Sequence, residues 1–440
     1  MLVDNSFAGL GLPADAPKVV YPVEMFVPDS DLTPLREKMD ELITGLTKWQ
    51  SQKKAKKTVL PEKVSLEGRD YEEALLTMNN LFLRNMWTDG LSIRPPTERL
   101  VKWLLTGTDL PSDKPILKIL PRGGTATVQT VGINLAMAGG RPEYMPVLIA
   151  ALEAMGSDKF AHGLMTATTC GVYPVIIVNG PMARQIRLNS GYGCLGPDPL
   201  HPAGGSIGRA LRFLLLNVGG AIPTKGTMSI HGGSARYTNV VFAEDEDGLP
   251  PGWQSLGVEQ GFSRGSNTVT AYTVSSTTNV PGGEVGSSDS ALASLNRAAG
   301  AMGVPNGNYF LSAYSPEGAA GILIMARGTA QGLANLGWSK EKVQAYLWEN
   351  SQVPASKLGP PISAWWIPCG GLFPERMPIS PAPKGIKIVV AGGLQSGHMT
   401  WLQVGCCAEQ LTSAEIKLPV NWDDLLKKAE QDLGPVPQNG

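Results

Sequence analysis

Residues 166–220 constrain the fold of this chain more than any other stretch. Residues 175–178 form a short β-branched run, with Pro174 before it and a turn sequence after it, which is typical of a strand buried on both faces. Apolar residues then recur at helical spacing behind Ser206, a suitable N-cap: Ile207, Ala210, Leu211, Leu214, Leu215 and Val218. A loop rich in glycine and proline joins the two elements. This order of strand, loop and helix predicts an α/β unit.

The start of this helix is also a candidate anion site. Gly204, Gly205 and Ser206 can present backbone N–H groups to a carboxylate or phosphate, with Arg209 one turn later. The pattern is neither a P-loop nor a GxGxxG fingerprint, and a tight connection that needs glycine for its backbone angles is the alternative. Long glycine-rich loops in compact domains are uncommon unless they are functional, which favours a ligand site.

Length and composition predict several packed parts rather than one core. A chain of 440 residues exceeds one ordinary core, and we expect an N-terminal arm and helix over residues 1–60. A first α/β subdomain with the glycine-rich loop follows at 61–235, and a second one, at 236–440, packs intimately on it. Charged residues make up only 17% of the chain, which leaves few charges for an exterior and predicts a homo-oligomer.

Charge, hydropathy and cysteine usage restrict the partners. The net charge of −1, with no basic run beyond two lysine pairs, argues against nucleic acid. No apolar stretch reaches the roughly 18 residues of a membrane span, and the first residues lack the features of a secretory signal. Five cysteines without CxxC argue against a disulfide framework and predict a cytoplasmic protein. Four histidines without HxH or HExxH spacing predict no metal site, although one built from distant residues stays open, and no motif identifies a cofactor.

Further elements follow from periodicity and caps. The predicted strands are 237–244, 268–278, 319–325 and 384–390, and the predicted helices are 32–47, 71–87, 98–105, 142–155, 329–336 and 340–350. Residues 125–140 are predicted to be β-rich. Residues 133–140 and 386–393 share one pattern, an apolar strand that ends in Ala-Gly-Gly, although a match of this length does not establish a repeat. Ligands of α/β sheets bind at such carboxyl ends of strands.

Two residues beside glycine turns are candidates for acid–base catalysis. His398 follows a buried strand and the Gly392-Gly393 turn, where catalytic residues are commonly displayed, and these two glycines are candidate substrate ligands. A histidine hydrogen-bonded to the loop backbone is the alternative. Glu143 lies beside Gly-Gly turns and can act as a base, although a carboxylate favoured by the helix dipole is the commoner case.

Other polar residues complete the predicted site. Cys170 is a candidate nucleophile if a histidine lowers its pKa, and a buried, inert cysteine is the commoner case. His231 is the second candidate histidine, whereas His162 and His201 are interpreted as structural or solvated. The remaining predicted substrate ligands are Arg122 in a Pro-Arg-Gly-Gly turn, and Asn179 and Asn189, whose amides flank the central loop and suit an oxyanion or carbonyl.

Four segments carry a resemblance to a known family: MNNLFLRNMWTDGLSIRPPTERL, PRGGTATVQTVGINLAMAGGRPEYMPVLIAALEAM, PVIIVNGP and GGSIGRALRFLLLNVGG. They resemble a family of largely uncharacterised bacterial proteins with a DGLPxxPPT turn and a MAGxxPEYxPVVLAAxEAM helix. Some members occur beside, or fused to, a small redox-type domain with a UGSC selenocysteine motif. The resemblance spans roughly residues 71–398 and implies no established reaction.

The chain departs from the family pattern in two places. Ser92 and Ile93 follow Leu91 where the family tends to have a proline, and Gly140 stands where many relatives have a cysteine. No UGSC or CGSC motif occurs in this sequence. A self-contained thiol redox role is therefore disfavoured.

These observations predict a multi-layer α/β fold, with several buried strands ending in glycine-rich loops and helices packed on the sheets. The predicted function is non-redox acid–base chemistry, of lyase or hydrolase type, on a small polar or anionic substrate, with His398 and Glu143 as acid and base. One alternative is a non-catalytic or co-catalytic subunit of a thiol or selenol redox system with a redox protein partner. Another is a metal-dependent enzyme that uses His231 and His398. Convergence of the polar groups in one pocket favours an enzyme, and scattered positions favour a subunit.

Overall fold

A computed structural model describes residues 12, 15–19, 29–50, 63–223, 225–233, 235, 240–282, 288–306, 309, 318–358, 375–395, 397–405 and 410–437. Most of the predicted N-terminal arm, and residues 237–239 of one predicted strand, lie outside these ranges. Within them, no helix is long and apolar enough to cross a membrane.

A mixed sheet with helices packed on it confirms the predicted α/β class. Its strands are β3 (Tyr173–Asn179), β4 (Val240–Ala243), β5 (Thr268–Val280), β6 (Gly321–Met325), β9 (Ile386–Val390), β10 (Met399–Val404) and β11 (Thr412–Glu415). Their order is β4-β3-β5-β10-β6-β9, and β11 also pairs with β5. Two small sheets pair β1 (Pro115–Ile119) with β2 (Gly124–Thr127), and β7 (Val353–Pro354) with β8 (Arg376–Met377).

The helices fall into an early and a late group. The early ones are α1 (Thr33–Glu37), α2 (Met39–Thr47), α3 (Tyr71–Arg84), α4 (Glu98–Leu105), α5 (Val128–Met137), α6 (Met145–Met155), α7 (His162–Ala167), α8 (Met182–Gln185) and α9 (Pro202–Asn217). The later ones are α10 (Leu256–Glu259), α11 (Ser288–Met302), α12 (Arg327–Asn335), α13 (Lys340–Asn350) and α14 (Trp422–Leu433). No strand was predicted at β10 or β11, and no helix at α11 or α14.

The two halves of the sheet have the same topology. In the first half β3 runs parallel to β4 and antiparallel to β5, and in the second half β6 runs parallel to β9 and antiparallel to β10. Two parallel strands need a crossover connection between them. Helices α8 and α9 lie in the crossover of the first half, and helices α12 and α13 lie in that of the second half. The β5–β10 pair joins the halves. The predicted subdomain boundary at residue 235 therefore falls between two hydrogen-bonded strands, β3 and β4.

The ends of the two edge strands meet. The N–H of Asp245, just after β4, donates to the carbonyl of Val390, at the end of β9, over 2.8 Å. Residues 189 and 190 fill the adjoining gap, since the Asn189 carbonyl accepts from the N–H of Ala243 and the Ser190 carbonyl accepts from that of Gly392, each at 2.9 Å. We call the segments 189–201, 243–245, 390–395 and 397–398 the seam.

The hydrophobic cores lie on the two faces of β3. Ile176 and Val178 belong to the same buried cluster as apolar residues of α5, α6 and α9, whereas Val175 and Ile177 belong to the cluster that includes residues of α11 and α13. Every residue of β3 is buried, which the run of β-branched side chains predicted. Burying each of these side chains contributes roughly 1.5–3 kcal/mol relative to exposure.

The predicted β-rich segment 125–140 is wrong beyond β2, because α5 occupies most of it. Thr127 and Thr130 form a reciprocal capping box at its start, with a 2.7 Å bond from the N–H of Thr127 to the Thr130 hydroxyl. Helix α5 lies between α4, α6 and α9, so it lacks the polar face that reveals helical periodicity. The two Ala-Gly-Gly sequences therefore follow different kinds of element, since one comes after helix α5 and the other after strand β9.

Helix α9 begins at Pro202, one turn before the predicted N-cap Ser206. Proline at the first helical position is favoured because its missing N–H has no intrahelical partner there. Gly204 is required by packing, since a β-carbon on it would lie 2.6 Å from the carbonyl oxygen of Val241 in β4. The N–H groups of Gly205 and Ser206 fall inside the helical hydrogen-bond ladder and are not free to bind an anion.

Candidate functional site

The seam holds an aspartate–histidine pair at the start of α9. His201 is the N-cap residue of α9, and its Nδ1 contacts Oδ2 of Asp198 three residues earlier. The other oxygen of Asp198 accepts from the N–H of Leu200 at 2.9 Å, which closes the turn. Nε2 of His201 is buried and has no hydrogen-bond partner within the described part of the chain.

The electrostatics of this pair suit a general base. Burial acts to raise the pKa of Asp198, but hydrogen bonds from His201 and from the Leu200 N–H outweigh it, so the pKa lies below its usual range. An ionised Asp198 assigns the proton of a neutral His201 to Nδ1 and leaves Nε2 as an acceptor. A histidine held in this tautomer by a carboxylate has the geometry of a catalytic dyad.

Asn189 holds the pair in place. Its Nδ2 donates to Asp198 Oδ2 at 3.0 Å and to the Tyr192 carbonyl at 2.9 Å, and its Oδ1 accepts from the N–H of Gly191 at 2.7 Å. Both amide protons of this buried side chain are thus used within the protein. Asn189 therefore positions Asp198, and it has no free donor for the predicted contact with substrate.

The predicted glycines and His398 border the same seam. Gly392 adopts φ of +108° where its N–H meets Ser190, and Gly393, at φ of +85°, lies against the ring of Tyr192. Gly392 also packs beside Ala326, whose N–H donates to the His398 carbonyl at 3.1 Å. The imidazole of His398 is exposed.

Three exposed apolar side chains on the seam form what we call the rim. Tyr192 is 56% exposed, Leu200 63% and Leu394 58%, and each adjoins a residue named above. Exposed apolar groups that cluster around polar ones are typical of ligand or partner surfaces.

Glu143 lies elsewhere, and the structure does not bring the predicted acid and base together. Its buried carboxylate contacts Nε of Arg141 at 2.5 Å, and Arg141 in turn reaches Asp432 of α14 at 3.0 Å. Neighbouring Tyr144 belongs to the core with α5 and α9, whereas Met399, next to His398, belongs to the other core. Arg141 therefore holds the buried carboxylate of Glu143 and links the turn before α6 to α14.

Arg209 is bound by a carboxylate of the chain itself. Its guanidinium makes a two-pronged contact with Asp89, at 2.9 and 3.0 Å, and donates to the Ser92 carbonyl at 3.0 Å. The carboxylate of Asp89 is almost fully buried. Together with the internal N–H groups of Gly205 and Ser206, this contact means that the predicted anion site at the start of α9 is not assembled.

Asn179 belongs to a buried cluster at the ends of β3 and β4. Its Nδ2 donates to Oε2 of Glu244 at 2.7 Å, and the N–H of Leu256 donates to the same oxygen at 2.7 Å. The remaining oxygens, Asn179 Oδ1, Glu244 Oε1 and the hydroxyl of Thr268, have no hydrogen-bond partner among the described residues. Burial raises the pKa of Glu244 to about 7, although Lys340 and the two hydrogen bonds oppose the shift.

The last three predicted residues lie near the end of α9. Arg122 donates to the Asn217 carbonyl at 3.1 Å. The N–H of Ile230 donates to the Thr169 carbonyl at 3.0 Å, which places the exposed His231 beside partly buried Cys170. The loop that carries His231 precedes β4, whereas the loop that carries His398 precedes β10.

Across the described ranges, no group of three or more His, Cys, Asp or Glu side chains is placed to hold a metal ion, and the metal-dependent alternative stays a prediction.

Sequence reasoning missed Asp198, His201 and Glu244. The spacing of Asp198 and His201 directly before a Pro-initiated helix was the available signal for the pair, because an i, i+3 carboxylate reaches an N-cap side chain. Glu244 follows the apolar residues of β4 directly, and a carboxylate in that position is a candidate for burial. The burial of Nε2 and of Glu244 depends on the tertiary structure.

No protein-family model matches the chain, and no match is found among curated proteins or among solved structures.

Proposed function

We propose that the chain is an enzyme that performs non-redox acid–base chemistry on a small polar substrate at the seam, with His201 as the general base. The observation that carries this proposal is the contact of Asp198 with Nδ1 of His201, which leaves Nε2 as a buried acceptor with no hydrogen-bond partner among the described residues. A histidine whose only role is to cap a helix needs no such orientation.

The chemistry follows from the tautomer. Nε2 takes a proton from a substrate carbon or from an attacking water, and the ionised Asp198 stabilises the imidazolium that forms. The imidazolium then returns the proton to the leaving group. The first case is a lyase reaction and the second a hydrolase reaction, and both leave the oxidation state of the protein unchanged. His398 on the same seam is a candidate for the second proton-transfer group.

The rim suggests the polarity of the substrate. Tyr192, Leu200 and Leu394 offer apolar contact around the pair, so we expect a substrate with one polar reacting group and an apolar remainder.

Chromogenic substrates test the proposal. p-Nitrophenyl esters report hydrolysis and a β-nitrophenoxy ketone reports elimination, each measured with wild type, His201→Gln and Asp198→Asn. General base catalysis contributes roughly 10²–10⁴-fold, so we expect His201→Gln to lower kcat by that factor and Asp198→Asn to lower kcat with little change in KM.

The matched control is His162→Gln. His162 accepts the N–H of Leu120 at 3.3 Å, which the glutamine oxygen can also accept, so turnover should persist. Equal rates in wild type and His201→Gln, for a probe that is turned over, would remove His201 from the chemistry.

A co-catalytic subunit of a thiol or selenol redox system is the second candidate. It is favoured by the separate locations of Glu143, Arg209, Asn179 and Cys170, and the apolar rim suits a protein partner as well as a substrate. The test is whether the purified chain changes the rate at which a small dithiol protein is oxidised. Leu200→Glu, which places a charge on the rim, should abolish that change if the candidate is correct.

A further inference from the structure

Two arginines contact one turn without a carboxylate partner. The turn at residues 219–221 follows α9, and Arg212 donates to the carbonyl of Ala221 at 3.3 Å. Arg122 donates to the Asn217 carbonyl, and its side chain packs against Gly220, so that a β-carbon there would lie 2.9 Å from Nε. Within the described part of the chain, the arginines that form ion pairs are Arg69, Arg141, Arg209 and Arg327, so neither Arg122 nor Arg212 has a carboxylate partner there.

Both guanidinium groups are incompletely satisfied. Nε of Arg122 is buried without a hydrogen-bond partner among the described residues. Arg212 has five N–H donors and makes one hydrogen bond among the described residues. The charge of Asp89 acts on Arg212 from a distance, but both oxygens of Asp89 are held by Arg209. Burial lowers the pKa of Arg122 and of Arg212, so each cation is partly removed from water. A desolvated cation without a counter-ion favours the binding of an external anion.

A small cavity lies at Arg212. Its volume is about 10 Å³, and its walls include Val172, Pro174, Leu215 and the threonine Thr166. A space of this size holds roughly one water-sized atom. Arg212 is its single charged wall residue. One oxygen of an oxyanion can therefore enter the cavity while the rest of the ligand stays outside.

We propose that Arg122 and Arg212 form a binding site for an oxyanion, the carboxylate or phosphate group of a small molecule. The planar guanidinium binds both groups through paired N–H donors, which a single ammonium cannot do. The site lies at the C-terminal end of α9, whereas the seam lies at its N-terminal end, so the proposal does not depend on the role of His201.

Thermal unfolding at constant ionic strength tests the site. Wild type, Arg212→Met and Arg122→Met are melted in potassium chloride and in rising concentrations of potassium phosphate or potassium acetate. We expect the wild-type Tm to rise with phosphate, acetate or both until the site is saturated. The anion that gives the larger rise shows whether the site prefers a phosphate or a carboxylate group. A ligand at about 100 times its Kd shifts the folding equilibrium about 100-fold. Both variants should lose this rise.

A second readout needs no ligand. In chloride alone Arg212→Met should melt no lower than wild type, because it replaces a desolvated, unpaired cation by an apolar chain of similar length. Arg376→Met is the matched control, since Arg376 also makes one bond to a carbonyl, that of Gln352 at 2.7 Å, but is exposed. Arg376→Met should therefore keep the rise of Tm with phosphate or acetate. Equal shifts in wild type and Arg212→Met, or a rise with chloride as large as with the oxyanions, would overturn the proposal.

Discussion

Replacing Glu244 by glutamine should change how the stability of the protein depends on pH. The carboxyl is buried at the end of β4, and burial raises its pKa from 4.5 to about 7. The native state therefore binds more protons than the unfolded state between these two pH values, and the free energy of unfolding falls as pH rises through this window. Above pH 7 the ionised carboxylate must be kept in the interior.

The magnitude follows from the shift. Each pKa unit corresponds to about 1.4 kcal/mol, so the loss of stability on raising pH from below 4.5 to above 7 is about 3 kcal/mol. Glutamine mimics the protonated form, because its oxygen can accept from Asn179 Nδ2 and from the N–H of Leu256 while its NH₂ replaces Oε1. We expect Glu244→Gln to match wild type at pH 5 and to exceed it at pH 8.

Calorimetry or circular dichroism melts at several pH values measure this difference. For a chain of 440 residues the unfolding entropy converts about 3 kcal/mol into a Tm difference of about 3 °C. Glu246→Gln is the control on the same loop, since Glu246 accepts the N–H of Gly180 at 2.6 Å. The charge of Glu246 is the smallest of the causes that shift the pKa of Glu244, so this control should leave most of the pH dependence due to Glu244 in place. A Tm difference between Glu244→Gln and wild type that is the same at pH 5 and pH 8 would refute the assignment.

Two further substitutions test contacts around α9 and the seam. Arg209→Met should cost roughly 3–5 kcal/mol in unfolding free energy, because it leaves the buried carboxylate of Asp89 unpaired; the double variant with Asp89→Leu should lose less than the two single losses together. Gly393→Ala should cost about 1–2 kcal/mol from its φ of +85°, and more because the new methyl group would meet the Tyr192 ring at 2.7 Å. Adding Tyr192→Ala should recover the steric part and leave the backbone part, and a full recovery in the melts would contradict the conformational argument.

Elements with strong local signals were predictable to the residue. Helices α4 and α13 begin where the sequence predicts, because the hydroxyls of Thr97 and Ser339 accept the N–H groups of Leu100 and Lys342. The β-branched run of β3 likewise predicts a strand buried on both faces. These signals act over three or four residues, so they need no knowledge of the remaining chain.

Helix α5 shows where local signals fail. It is buried on nearly every side, and even the polar Asn134 is buried, so its sequence lacks a clear division into apolar and polar faces. Periodicity therefore does not distinguish this helix from a strand. The glycines at the start of α9 mislead for a related reason: Gly204 permits the close approach of β4, a packing requirement that resembles an anion-binding loop in sequence.

The sequence by itself determined the α/β class, most of the helices and strands near the centre of the chain, and the residue types available for chemistry. The tertiary structure decided which of those residues meet. Arg209 binds Asp89, which is 120 residues away in the sequence, and Arg141 binds Asp432, which is 291 residues away. Local sequence patterns predict neither partner. The sheet gives a third example, because the ends of β4 and β9, at opposite ends of the strand order, meet through the bond from Asp245 to Val390. Burial then decides whether a polar group such as Glu244 or His201 is solvated or perturbed, since burial is a property of the packed structure as a whole.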